Sequence, residues 1–122
     1  LRDRADEALQ VFYPQMRKRP ESMAEMLQNL DFHLGEPLEI VVVGPEGGDP
    51  EAHLDVIRET YLPHSVRLFV DLEEDDLEVW ADDLPVVQGR EPRDGEVTVY
   101  VCREGTCRAP VTSPEALEEQ LQ

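Results

Sequence analysis

The run Leu38-Glu39-Ile40-Val41-Val42-Val43-Gly44 constrains the fold more than any other stretch. Its β-branched residues Ile40 to Val43 favour extended backbone. Successive side chains on a strand point to opposite faces, so an unbroken apolar run needs cover on both sides. Pro37 and Gly44 bound it, and helix-like patterns stand before and after it. It reads as the central strand of a small α/β domain.

The chain after this strand supplies its neighbours. Asp49 suits a helix N-cap, Pro50 the first helical position and Glu51 the first turn. Leu54, Ile57 and Tyr61 then share a face, and Leu62-Pro63 ends the helix. Val66 to Val70 forms a second strand, giving a βαβ unit with parallel strands and a right-handed crossover. Asp71 to Asp94 is expected to be an ordered, irregular loop anchored by Trp80, Leu84, Val86 and Val87. Glu96 to Cys102 is a third strand, Arg103 to Thr106 a turn, and Cys107 to Val111 an antiparallel partner. Ser113-Pro114-Glu115 caps a last helix with Leu117 and Leu121 facing inward. The fold class is therefore α/β, a small mixed four-stranded sheet made of a βαβ unit and a C-terminal ββα.

Residues 1–35 form an expected αα-hairpin ahead of the α/β domain at 36–122. Ala5, Leu9, Phe12 and Met16 share one face of a helix over Leu1 to Arg19, which Pro14 should kink or divide. A second helix spans Glu21 to Leu34, with capping-box spacing at Ser22 and Glu25 and a stop at Gly35. Its stripe is Met23, Met26, Leu27, Leu30 and Leu34, and the methionines read as gap-filling core residues.

Charge narrows the function classes. There are 28 acids against 11 bases, a net charge of −17, and Lys18 is the one lysine beside ten arginines. An ordinary acidic surface is one reading. The near absence of lysine favours a halophilic protein of a salt-rich cytoplasm, where self-repulsion is screened. No basic stripe is present to displace counterions from phosphates, so neither nucleic acid nor an anionic membrane is an expected partner. No apolar run approaches the roughly 20 residues that span a bilayer. The chain opens at Leu1 rather than Met, as expected of a piece of a longer protein.

Two constellations could carry chemistry. Gly44, Gly47, Gly48 and Asp49 lie at a strand-to-helix junction, where ligands of α/β sheets often bind. The spacing is neither G-x-G-x-x-G nor a P-loop, no lysine follows, and Glu46, Asp49 and Glu51 would face a phosphate. A tight βα turn is the competing reading. Cys102 and Cys107 flank the predicted hairpin turn without the C-x-x-C spacing of thioredoxin-type pairs. They admit reduced structural thiols, a disulfide, or half of a zinc site completed by two of His33, His53 and His64. The acidic run Leu72 to Asp76 lacks the alternation and glycine of an EF-hand loop and reads as a solvated face. Acids are so numerous that paired carboxylates at any spacing say nothing. No catalytic residue, metal site or cofactor is called for.

Val99-Tyr100-Val101-Cys102, Thr106-Cys107, Ala109-Pro110 and Ser113-Pro114-Glu115-Ala116-Leu117 resemble the closing segment of a known family. It is the large bacterial thioredoxin-domain-containing, spermatogenesis-associated-protein-like family. Met26 to Asp31 and Leu38 to Gly44 fit it in the same order, while Val99 stands where the family more usually has alanine. The resemblance implies a parent with an N-terminal thioredoxin-like domain and a helical toroid similar to six-hairpin glycosidases. Residues 1–34 would then be the toroid's last helices and the rest an α/β tail. The family's presumed redox and carbohydrate sites would lie outside this chain. A non-catalytic domain docking on the remainder of its own polypeptide follows, with a redox module at Cys102 and Cys107 as the alternative.

Salt adaptation makes a direct prediction. The melting temperature is expected to rise steeply from low to molar KCl, and a flat calorimetric response removes that reading.

Overall fold

The computed structural model describes residues 2–122, in two compact units, one ending at Glu36 and one spanning Pro37–Gln122. In the first, helix α1 (Arg2–Lys18) runs through Pro14 undivided, so of the kink or division expected there the division is not made. Leu1, its expected first residue, lies outside the described residues. Leu9 and Met16 are buried, whereas Phe12 and Ala5 of the same predicted face stay exposed. Helix α2 (Ala24–Leu34) starts later than expected because Pro20–Ser22 form a 3₁₀ turn. The predicted capping box is not made, since the Ser22 hydroxyl donates to the Arg19 carbonyl (3.0 Å). Gly35 ends α2, its N–H donating to Asp31 O at 2.9 Å.

The second unit is a four-stranded mixed sheet. Its strands are β1 (Leu38–Gly44), β2 (Ser65–Asp71), β3 (Thr98–Arg103) and β4 (Thr106–Cys107), in the order β2-β1-β3-β4. β1 pairs parallel with β2 and antiparallel with β3, placing Val41 beside Leu68 on one side and Tyr100 on the other. The period of two sorts the run between two cores. Ile40 and Val42 join Val99, Val101, Ile57, Leu117 and Leu121 under α3 (Glu51–Glu59) and α5 (Pro114–Leu121). Val41 and Val43 join Val70, Val87, Tyr100 and Cys102 on the opposite face. The double cover inferred from the apolar run is present.

Two local departures have clear causes. The stretch expected to be irregular holds a helix, α4 (Leu77–Asp83), and a 3₁₀ turn at Pro85–Val87. Asp76 caps α4 by accepting from Glu78 N (2.9 Å), and Leu77, Trp80 and Ala81 pack on the second core. That spacing is i, i+3, i+4, a helical signal overshadowed by the neighbouring acids, Pro85 and Gly89. The last strand is shorter than expected. In the Cys102–Cys107 register Val99 would face Pro110, which has no N–H to give; it pairs with Val111 instead. The extra residue is absorbed at Ala109-Pro110, as in a bulge.

Among the described residues, no helix is long and apolar enough to cross a membrane. Leu117 is fully buried, so Leu117→Ala is expected to cost about 2–5 kcal/mol in urea denaturation. Val66→Ala, on the exposed edge strand, is expected to cost well under about 1 kcal/mol by the same measurement.

Candidate functional site

Glu104 and Gly105 turn the β3–β4 hairpin with φ of 51° and 78°. Two successive positive φ values are those of a type I′ turn, whose twist matches the strands. Beyond the turn, Arg108 N donates to Val101 O (3.0 Å), so Cys102 and Cys107 form the intervening pair without mutual backbone hydrogen bonds. Side chains are closest at such pairs. The Cα atoms are 3.9 Å apart and the two sulfurs are bonded to each other, one of the three states the sequence left open. Cys102 is buried at 1% exposure, and Cys107 is partly exposed.

A residue that sequence reasoning passed over completes this cluster. Arg90 follows the 3₁₀ turn and is tied to it by its N–H donating to Val87 O (3.1 Å). Its Nη2 lies 2.8 Å from Cys107 Sγ and 3.7 Å from Cys102 Sγ. The guanidinium also sits over the Tyr100 ring, 5.4 Å from the centroid, at cation–π distance. The Tyr100 hydroxyl donates to the Glu91 carbonyl, fastening the loop to the sheet. No spacing rule links Arg90 to cysteines 12 and 17 residues away. The available signal was weaker: an arginine between Gly89 and Pro92, in a loop anchored by the apolar Val86 and Val87.

The histidines do not gather at the sulfurs. His53 is buried, its Nε2 is 2.7 Å from Thr112 O, and its Nδ1 has no hydrogen-bond partner. His33 lies 3.3 Å from Asp6 within the helical unit, and the His64 carbonyl accepts from Leu38 N (2.9 Å). Among the described residues, no group of three His, Cys, Asp or Glu side chains is arranged to hold a metal ion.

The loop after β1 gathers Gly44, Gly47, Gly48 and Asp49 as a turn closed on itself. Gly48 N donates to Pro45 O (2.9 Å), and Asp49 Oδ1 accepts from Glu51 N (3.0 Å) just ahead of α3, whose N-cap is Pro50 and not the expected Asp49. Gly47, at φ +78°, donates its N–H to the Glu73 carboxylate (2.9 Å). A phosphate at Gly47 would have to displace that carboxylate. Gly44 has a packing role, because a Cβ there would come within 3.2 Å of the Phe69 ring.

The helical unit presents exposed apolar side chains: Val11 and Leu34, each 69% exposed, with Tyr13 and Phe12. An open groove of about 370 Å³ lies between α1 and α2, lined by Ala8, Leu9, Met26, Phe32 and His33 among others.

No family model and no solved structure matches this chain. Among curated proteins it is similar to spermatogenesis-associated protein 20 of mouse and of rat, each 27% identical over 114 residues, and to the human protein at 26%. The matches cover 93% of this chain and 14% of each relative. The chain thus spans about one-seventh of the length of the curated relatives it matches.

Proposed function

We propose that this chain is a non-catalytic C-terminal domain of a longer polypeptide, docking on the rest of that polypeptide. The observation that carries the reading is the lopsided match, nearly all of this chain against a small share of each relative. The resemblance described above implies a segment that follows a thioredoxin-like domain and a helical toroid, and the acidic, lysine-poor composition supports a cytoplasmic parent. Exposed Val11 and Leu34 on the helical hairpin support the docking face. Covering the exposed two-thirds of such a side chain gains about 1–2 kcal/mol, the corresponding share of full burial. The charge of −17 favours a partner surface that is not acidic.

The test compares the longer polypeptide with the 122-residue chain. Val11→Asp combined with Leu34→Asp is expected to raise proteolytic release of the segment from the longer polypeptide at least about tenfold, one decade per 1.4 kcal/mol lost. In the 122-residue chain the same pair should shift the melting temperature by only a few degrees, about the range of surface substitutions. Unchanged release sinks the docking reading.

The second reading is a thiol–disulfide module, favoured by the opposed pair Cys102–Cys107 and the cation beside it. In glutathione redox buffers the pair is expected to open and close reversibly in one two-electron transition, counted by alkylation after acid quench. A pair that stays in one state across the whole range of glutathione ratios eliminates this reading.

A further inference from the structure

The two sulfurs of the hairpin stand in unlike surroundings, and the difference assigns them unlike tasks. Resting on the thiol–disulfide reading, we infer that Arg90 makes Cys107 the sulfur that exchanges with external thiols and disulfides, with Cys102 as its resolving partner. The class of substrate is a thiol or disulfide on a flexible or exposed segment, small enough to reach a partly covered sulfur.

Access is the first argument. An incoming sulfur must approach along the axis of the bond it breaks, and Cys102, at 1% exposure within the second core, offers no such approach. Cys107 lies on the short edge strand and is partly exposed.

Charge is the second. The thiolate is the reactive form of cysteine, and a neighbouring cation favours it. Arg90 Nη2 is closer to Cys107 Sγ, 2.8 Å against 3.7 Å for Cys102. A bonded sulfur is a weak hydrogen-bond acceptor, so the guanidinium gains little from the closed pair. With a thiolate it would make a charge-assisted bond, roughly twice as strong as a neutral one. The placement of Arg90 therefore favours the open state at Cys107.

Isolation of the cation is the third. This chain has 28 acids, and carboxylates pair with basic side chains elsewhere, as in His33–Asp6 and Arg58 with Glu51 and Asp55. Arg90 has no carboxylate partner among the described residues, and its buried Nε makes no hydrogen bond. A carboxylate would neutralise the charge that a Cys107 thiolate needs. Tyr100 holds the guanidinium without neutralising it, through its ring face and through its hydroxyl bond to the Glu91 carbonyl.

With both cysteines reduced, the Cys107 thiolate attacks one sulfur of an external disulfide; a bond forms to Cys107 and one external thiolate leaves. Cys102 loses its proton and attacks the Cys107 sulfur of that mixed disulfide. The Cys102–Cys107 bond forms and the second external thiolate leaves. The cysteine pair loses two electrons and the external disulfide gains them; the Cys102 proton passes to one released thiolate, and the other takes up from solvent the proton that Cys107 gave up when its thiolate formed. The reverse sequence, driven by an external dithiol, opens the pair.

The test uses the 122-residue chain with each cysteine isolated in turn. In Cys102→Ser, thiolate absorbance and iodoacetamide reactivity against pH are expected to give Cys107 a midpoint at least about one pH unit below the usual 8.5 of free cysteine. Adding Arg90→Gln should raise that midpoint by about one unit, and Arg90→Lys should restore part of the shift. Oxidised glutathione should form its adduct on Cys107 in Cys102→Ser at least about tenfold faster than on Cys102 in Cys107→Ser. A midpoint indifferent to Arg90→Gln, or equal rates at the two cysteines, overturns the assignment. The rate comparison leaves Arg90 in place, so it decides the matter even where Arg90→Gln fails to fold. Failure of the glutathione equilibrium itself would remove the redox reading while leaving a lowered Cys107 midpoint measurable.

Discussion

The second unit depends on β1 being paired along both edges and covered on both faces. Ile40, Val41, Val42 and Val43 are almost entirely withdrawn from water, each worth about 1.5–3 kcal/mol of transfer free energy. Pairing with β2 and β3 leaves β1 no open edge for another chain to join. Yet four β-branched residues in succession say little about register, because a one-residue slip exchanges one apolar set for another. Register is held at the ends of the strand. Leu38 N donates to His64 O at one end, and Leu72 N donates to Gly44 O at the other. Gly44 adds a steric condition, since only a residue without a side chain fits there against the Phe69 ring without displacing it.

What the sequence made legible follows from signals that are local and periodic. The central strand, the βαβ unit, the β3–β4 hairpin and the Ser113 cap, whose hydroxyl accepts from Ala116 N at 3.2 Å, each rest on neighbouring residues. The misreadings arose where two local signals competed. Asp76-Leu77 begins a helix, but it stands at the end of an acidic run that reads as solvated loop. In the structure those acids are occupied: Asp71 Oδ1 accepts from Glu73 N, and Asp75 Oδ2 accepts from Asp71 N. They stabilise the turn between β2 and α4. Ser22 had the spacing of a capping box, but the 3₁₀ turn started by Pro20 took its hydroxyl first. Pro14 does not divide its helix, and Leu9 and Met16 are buried on either side of it.

The candidate site was legible only in part, for a reason of topology. Cys102 and Cys107 are joined by a short turn, so their proximity can be read from the chain. Arg90 reaches them because the loop after the Pro85–Val87 turn folds over the sheet face that carries Tyr100 and Cys102. That contact depends on Val87 entering the core and on the bond from the Tyr100 hydroxyl to Glu91 O. Both are tertiary facts with no periodic signature. The loop at Gly44 to Asp49 shows the reverse: its residues are neighbours in the chain, but the Gly47 N–H that would greet an anion already holds Glu73.

The position of Arg90 has more weight in this chain than it would in a neutral one. A net charge of −17 opposes the creation of any further negative charge, including a thiolate. Most of that opposition comes from surface carboxylates, whose influence fades over about 10 Å at ordinary salt. A guanidinium 2.8 Å from the sulfur acts well inside that distance, so salt weakens it far less. Raising the ionic strength therefore removes more of the repulsion than of the attraction. In a chain of this composition, the inferred pairing of Arg90 with a Cys107 thiolate is therefore expected to be favoured by added salt, because the distant repulsion is screened before the close attraction.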